Sequence, residues 1–131
     1  MASQSFNWGS WQSIDTDLAI SHGSDDTSDA ISLDNVAACE VSVKAVYSNH
    51  TITQGTKVYV LRDTDGTNYE GESDNPWGFE MPYVQNGTRR RSFAVDPSQL
   101  GGFKLLQTYD GGASSTATMT TKYRVATLDS A

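Results

Sequence analysis

Hydrophobic and polar residues alternate one by one along several short segments of this chain. The clearest segment is Cys39–Tyr47, in which the odd positions are apolar and Glu40, Ser42 and Lys44 fall between them. Because successive side chains of a strand point to opposite faces, this pattern predicts a strand with one buried and one solvated face. We therefore expect a β-sheet protein that presents surfaces rather than a reactive centre.

Similar segments recur at short intervals and are separated by turn-forming residues. The pattern predicts strands over 11–20 (with an irregularity), 30–33, 57–62, 89–96, 103–109 and 116–125. Residues 75–83 are predicted to form an edge strand or a structured loop, because Pro76 and Pro82 lack backbone donors. About eight strands with this spacing predict an all-β protein, an antiparallel β-sandwich of jelly-roll or immunoglobulin-like kind.

The connections between these strands are also predicted. Residues 21–29 have the composition of an acidic, turn-rich loop, and Asp110-Gly111-Gly112 is typical of a hairpin turn between the last two strands. We expect at most one short helical turn, over residues 97–100, with Asp96 as its N-cap and Pro97 at the first helical position.

The length and the polar start of the chain predict its domain organisation. With 131 residues there is room for one core, so residues 11–131 are predicted to form a single β-sandwich domain. Residues 1–10 are polar except Phe6 and Trp8, and we expect them to form an N-terminal arm. A frayed terminus is the alternative.

Composition and charge limit the kinds of partner. Only 37% of the residues are hydrophobic, which suits either a small β domain with long polar loops or a protein that completes its burial against copies of itself or a larger assembly. The net charge of −7 argues against nucleic acid or an anionic membrane as a partner. No segment approaches the ~20 apolar residues of a membrane span, and the start lacks a secretory signal. We expect a soluble protein that is made in a cytoplasm.

No motif for catalysis, metal or cofactor binding is found. Acidic and amide residues crowd positions 63–74, but the glycine of that loop does not have the spacing of a calcium loop, so a solvated acidic loop is favoured. His22 and His50 lie in separate predicted loops without the partners of a catalytic triad. Cys39, the single cysteine, falls on the apolar face of its strand and is predicted to pack in the core. We therefore predict no catalytic residues, no metal and no cofactor.

Two clusters are candidate contact sites for partners or for other subunits. Trp77, Phe79, Met81 and Tyr83 share one parity and are predicted to form an aromatic row. This row fits a core, a subunit interface or a sugar-stacking surface. In the second cluster, Arg89 and Arg91 face one way and Arg90 the other. These arginines suit an ion pair within the chain or between subunits as well as a contact with a separate partner. With Phe6 and Trp8 of the arm, the predicted contact residues are Phe6, Trp8, Trp77, Phe79, Tyr83, Arg89, Arg90 and Arg91.

Parts of the segment from Val58 to Val95 resemble a family. Val58–Glu70, Pro76–Phe79 and Arg89–Phe93 are similar to small β-sandwich virion proteins of tailed bacteriophages, which include capsid cement (decoration) proteins and tail accessory proteins. The resemblance covers about a third of the chain and implies no catalytic residue. It implies a virion protein that binds the major capsid protein at capsomer junctions, or binds tail proteins, and that self-associates, commonly as a trimer. A carbohydrate-binding sandwich and a small hydrolase are the alternatives from other classes.

Overall fold

The structure, a computed structural model, describes residues 4–48, 54–64, 67–97, 101–110 and 115–130. Within these residues it contains ten strands and one 3₁₀ turn. The strands are β1 (Gln4–Trp8), β2 (Gln12–Ser21), β3 (Ser24–Thr27), β4 (Ile31–Ser32), β5 (Ala38–Tyr47), β6 (Thr56–Arg62), β7 (Gly78–Met81), β8 (Thr88–Val95), β9 (Gly102–Tyr109) and β10 (Thr116–Ser130), and the turn is Glu72–Asp74. The predicted helical turn at 97–100 extends outside the described residues.

The strands form two antiparallel sheets, which confirms the predicted sandwich. In the first sheet β1 and β2 both pair with β10, at different parts of its length. The order of this sheet is therefore β1/β2, β10, β5, β8. The second sheet has the order β3/β4, β9, β6, β7. The ten strands thus occupy eight positions, and numbering these along the chain gives the sheets 1-8-3-6 and 2-7-4-5. This order is that of a jelly roll and differs from the immunoglobulin arrangement.

Strand β5 provides the centre of the core, as its alternation predicts. Its five odd residues, Cys39, Val41, Val43, Ala45 and Tyr47, are all buried, and the even residues between them are more accessible. They belong to one apolar cluster with the inward residues of β6 and β9, among them Val58, Val60, Phe103 and Leu105. The core is therefore a single layer between the two sheets.

Strand β2 is irregular, as its broken hydrophobic pattern predicts. Its pairing with β10 shifts in register on both sides of Thr121. Asp17, within this strand, has a φ of 48°, a left-handed conformation that Asp and Asn adopt more readily than most residues. These bulges leave β2 without a regular row of free backbone groups on its outer edge.

Two predictions about connections are wrong. Residues 24–27, predicted as part of an acidic loop, form strand β3, which pairs with residues 106–109 of β9. A four-residue edge strand is held by backbone pairing and needs little apolar character, so hydrophobic alternation does not detect it. The predicted hairpin between the last two strands is also wrong, because β9 and β10 lie in different sheets. A turn-forming sequence does not reveal whether the chain returns beside the same strand or crosses to the facing sheet.

The Tyr47 side chain ties the two sheets together at one end of the core. Its hydroxyl donates to the carbonyl of Met81 on β7 and accepts the backbone N–H of Thr56 on β6 at 2.9 Å. The ring stacks on Tyr83 with 5.3 Å between centroids and an interplanar angle of 3°. Burial is the main reason that the pKa of Tyr47 lies above its usual value, so the hydroxyl keeps its proton and its donor role.

We expect Tyr47→Phe to lower the free energy of unfolding by about 2–3 kcal/mol, because the buried Thr56 N–H and the buried Met81 carbonyl would both lose their hydrogen-bond partner. Tyr83→Phe is the matched control, since the Tyr83 hydroxyl makes a part-buried bond to the Ser48 carbonyl at 3.1 Å. The control should cost about 1 kcal/mol. Urea unfolding measures both, and equal losses would contradict the role given to Tyr47.

Cys39 should be unreactive in the folded protein. Burial, with a smaller contribution from Glu40, raises the pKa of its thiol to about 11, and the side chain is buried in the core. Because the thiolate is the reactive form, a thiol reagent at pH 8 should label the native protein only through unfolding, and should label it fully in guanidinium chloride. Rapid labelling of the native protein would show that the β5 face is open.

Candidate interaction surfaces

The first and last strands form a ribbon that runs past the rest of the first sheet. Strand β1 pairs with residues 126–130 of β10, whereas β5 pairs with β10 only as far as Ala126. Residues 4–7 and 127–130 are therefore a two-stranded extension, and no other described strand pairs with it. The residues predicted as an arm are thus paired with β10 over positions 4–8.

This ribbon presents apolar side chains on the outer face of the first sheet. Phe6 is 54% exposed and lies opposite Leu128, which is 52% exposed. Trp8 follows on the same face and meets Phe6 edge to face, with 6.2 Å between ring centroids. Trp11, in the link to β2, is also exposed. We call Phe6, Trp8, Trp11 and Leu128 the ribbon patch.

Arg124 supports the ribbon patch. Its guanidinium carbon lies 4.4 Å from the ring centre of Trp8 and 4.8 Å from that of Trp11. The same guanidinium donates to Glu40 on β5 at 3.3 Å. Its Nε is buried and has no hydrogen-bond partner among the described residues. One cation thus holds two tryptophans and one carboxylate in fixed positions.

A second surface lies where β7 and β8, the edge strands of the two sheets, approach each other. The rings of Trp77, Phe79 and Phe93 form a cluster there with centroids 5.2–5.6 Å apart, and Trp77 is 50% exposed. The guanidinium of Arg91 lies 4.3 Å from the Phe79 ring centre, and Arg89 donates to the Pro82 carbonyl at 3.3 Å. These contacts cover the core on the side where the two sheets do not meet.

The three consecutive arginines face as predicted. Arg89 and Arg91 pair with the inward residues Ala45 and Val43, whereas Arg90 lies on the outer face opposite Lys44. All three are exposed. We call Arg89, Arg90 and Arg91 the arginine edge.

The predicted aromatic row is divided by the structure. Met81 is buried in the core and Phe79 is half-buried against it, while Trp77 projects into solvent. Tyr83 lies beyond the end of β7, half-buried, with one face covered by Tyr47. Of this row, Trp77 therefore has the largest free surface.

On the opposite side of the sandwich, β2 and β3 border a cleft of about 320 Å³. Asp15, Asp26 and Asp29 line it, and we call them the acidic cleft. Asp15 accepts from the Gln107 amide at 3.0 Å, and the Gln107 Oε1 atom is buried with no hydrogen-bond partner among the described residues. Burial, and then the charges of Asp15, Asp25 and Asp29, raise the pKa of Asp26.

Among the residues that the structure describes there is one histidine–carboxylate pair. The Nδ1 of His22 lies 3.2 Å from Asp110 Oδ1, and both side chains are well exposed. Asp110 borders a groove of about 360 Å³ that Asp25, Lys57 and Glu72 also line. His50 lies outside the described residues. The pair is open to water, whereas catalytic pairs commonly lie in a cleft.

Two carboxylates within residues 63–74 accept hydrogen bonds from the backbone. Glu70 accepts the Arg62 N–H at 2.9 Å and Asp74 accepts the Gly71 N–H at 2.7 Å. Asp65 is outside the described residues. Among those described, no three His, Cys, Asp or Glu side chains are grouped so as to hold a metal ion. The described helical turn is too short to cross a bilayer.

No protein-family model matches the sequence, and no curated protein is significantly similar to it. The resemblance to virion proteins stays a prediction, as do the eight predicted contact residues. Sequence patterns did not identify Trp11, Arg124 or Leu128 as part of a surface. The spacing of residues 124, 126 and 128 indicates that they share one face of a strand. The pairing of β1 with β10 is needed to show that Phe6 and Trp8 lie on that same face.

Replacing Arg124 with methionine should loosen the ribbon, because the contacts with Trp8, Trp11 and Glu40 are lost together. We expect ribbon amide protons to exchange about tenfold faster, which corresponds to a cation–π contribution of about 1–2 kcal/mol. Lys122→Met, two residues away on the same face and exposed, is the control and should leave this exchange unchanged. Hydrogen exchange measured by mass spectrometry or NMR tests the prediction, and unchanged exchange in the Arg124 variant would refute it.

Proposed function

We propose that this chain is a structural protein of a tailed-bacteriophage virion, a cement or decoration protein that binds the major capsid protein where capsomers meet. The observation that carries the proposal is the ribbon patch, a fixed aromatic and apolar surface exposed on strands that extend past the sandwich. The side chains of the patch carry no reactive group, so the proposed activity is binding.

The energetics of the ribbon favour a partner surface. A two-stranded ribbon is only marginally stable by itself in water, and Phe6 and Leu128 gain little by packing on each other alone. Tryptophan and arginine are enriched among the residues that dominate binding energy, and Arg124 already holds Trp8 and Trp11 in place. Such preorganisation reduces the entropy lost on binding.

Fold and charge are compatible with this proposal. Jelly rolls include viral capsid and lectin domains, although a fold alone does not assign a function. The net charge of −7 would repel DNA, which is useful to a protein that must assemble on a shell filled with nucleic acid. The virion itself is inferred from the resemblance of the segments between Val58 and Val95.

The proposed mechanism is physical. A cement protein bound across a junction adds interface area between neighbouring capsid subunits, and this area must be separated before the shell can rupture. The barrier to rupture under internal DNA pressure therefore rises. The ribbon would contact the shell, and the rest of the sandwich would contact neighbouring subunits.

The experiment is co-sedimentation of the purified protein with expanded capsids and with tails from the phage that encodes it. We expect binding to capsids, and a loss of about 30-fold or more for Phe6→Ser combined with Leu128→Ser, the size of a hot-spot contact of about 2 kcal/mol. Val46→Ser is the control, since Val46 is exposed on the same outer face away from the ribbon.

Loss of the gene should give heads that break at lower temperature. Binding to tails alone would support the tail accessory alternative. No affinity for either particle, with unchanged heat resistance after gene deletion, would refute the proposal. Cryo-electron microscopy of whole particles would locate the protein.

A second candidate is carbohydrate binding, which the exposure of Trp77 favours. Its ring is half-exposed beside Phe79 and Phe93, and flat aromatic surfaces stack on sugars. Tyr83, the other ring that this candidate requires, has one face covered by Tyr47. Glycan-array binding that Trp77→Ala abolishes would establish this function instead.

A further inference from the structure

The two open sides of the sandwich carry opposite charges. The arginine edge lies at the β7–β8 side, and none of its three cations forms an ion pair among the described residues. The acidic cleft lies at the β2–β3 side, and its carboxylates likewise have no cationic partner within the described part of the chain. Because β8 and β2 are opposite edges of the first sheet, the two surfaces are too far apart to meet within one copy.

We propose that copies of this chain associate head to tail, with the arginine edge of one copy seated in the acidic cleft of the next. The occupant of each surface is thus a second copy of the same chain. This inference goes beyond the proposed function and does not depend on the identity of the virion partner.

The chemistry of the cleft suits a guanidinium. Arginine offers several donors in a planar fork that matches a carboxylate. Asp15 and Asp26 supply carboxylates to the cleft, and the Gln107 amide, which donates to Asp15 at 3.0 Å, holds one of them in position. An arriving arginine would relieve the mutual repulsion of the carboxylates, which contributes to the raised pKa of Asp26.

The arginine edge also benefits from anions. Arg90 lies directly opposite Lys44, and like charges in that position destabilise a strand pair. Arg89 and Arg91 are held at the opening between the sheets by Pro82 and Phe79, so they are presented in fixed positions. Trp77, beside them, offers apolar area to the incoming copy.

The contact is formed by side chains rather than by a continuous sheet. The register shifts of β2 and the left-handed Asp17 interrupt the backbone groups that a ladder would need. A contact between two different surfaces of the same chain generates a closed ring when the rotation closes and an open filament when it does not. A trimer, which the virion resemblance implies, is one such ring.

Arginines on an edge strand have another known use, which is to prevent strand-to-strand aggregation. That use explains the arginine edge alone. It does not explain why the acidic cleft, on the opposite side, gathers carboxylates that have no cationic partner among the described residues. A protein that stays monomeric at every concentration would support this simpler role.

The test measures the mass of the purified protein by light scattering and sedimentation velocity over a range of concentrations. We expect oligomers at low salt that dissociate at high salt. Arg89→Asp with Arg91→Asp should weaken association by at least about tenfold, and so should Asp26→Arg with Asp29→Arg. Lys57→Asp with Lys122→Asp makes the same change of net charge as the first pair at exposed positions outside the arginine edge and should associate as the unmodified chain does.

Mixing the two reversed variants provides the decisive comparison. Each variant then carries surfaces complementary to those of the other, so association should return only as mixed oligomers in which the two variants alternate, as open chains or rings with an even number of copies. This result cannot come from misfolded variants, and circular dichroism checks the fold of each. A monomeric unmodified chain, or oligomers that neither reversal weakens, would overturn the proposal. The ribbon variant Phe6→Ser with Leu128→Ser should still form oligomers, which separates this result from a failure to bind capsids.

Discussion

The apolar layer between the two sheets is the constraint on which the rest of this molecule depends. It is one side chain thick per sheet, with the inward face of β5 against those of β6 and β9. At one end of this layer Tyr47 fixes the distance between the two sheets. Its hydroxyl forms hydrogen bonds with the backbone of Met81 on β7 and of Thr56 on β6, which both belong to the facing sheet. Since the two sheets do not meet along two sides of the sandwich, polar and aromatic side chains must cover the apolar layer there.

Different side chains cover the two sides, so the β7–β8 side is basic and the β2–β3 side is acidic. At one side Arg91 lies over the Phe79 ring, and at the other Gln107 donates a hydrogen bond to Asp15 at the border of the core. Three of the nine Lys and Arg residues, Arg89, Arg90 and Arg91, are consecutive on β8, the edge strand of the first of these sides. A jelly roll whose strands cross repeatedly between sheets can separate charge in this way because neighbouring strands in space are distant in sequence.

Much of the fold was predictable because period-two burial is a strong physical signal. The alternation of β5 and the opposite facing of Arg90 relative to Arg89 and Arg91 both followed from it. Strand β3 was not predictable, since its polar residues are held by the backbone of β9. The crossing from β9 to β10 was equally hidden, as Gly-rich turns serve both kinds of connection. Of the surfaces, Phe6, Trp8 and the arginines were visible as composition, whereas Arg124 and the acidic cleft depend on strands brought together from far apart in the chain.

The pairing of Gln4 with Ser130 has a practical outcome. Anything genetically fused ahead of β1 or behind β10 departs from one location, next to the ribbon patch. A reporter or purification tag at either end would therefore lie close to the ribbon patch. A circularly permuted chain, in which a short linker joins β10 to β1 and new termini are placed in another loop, would leave the patch accessible.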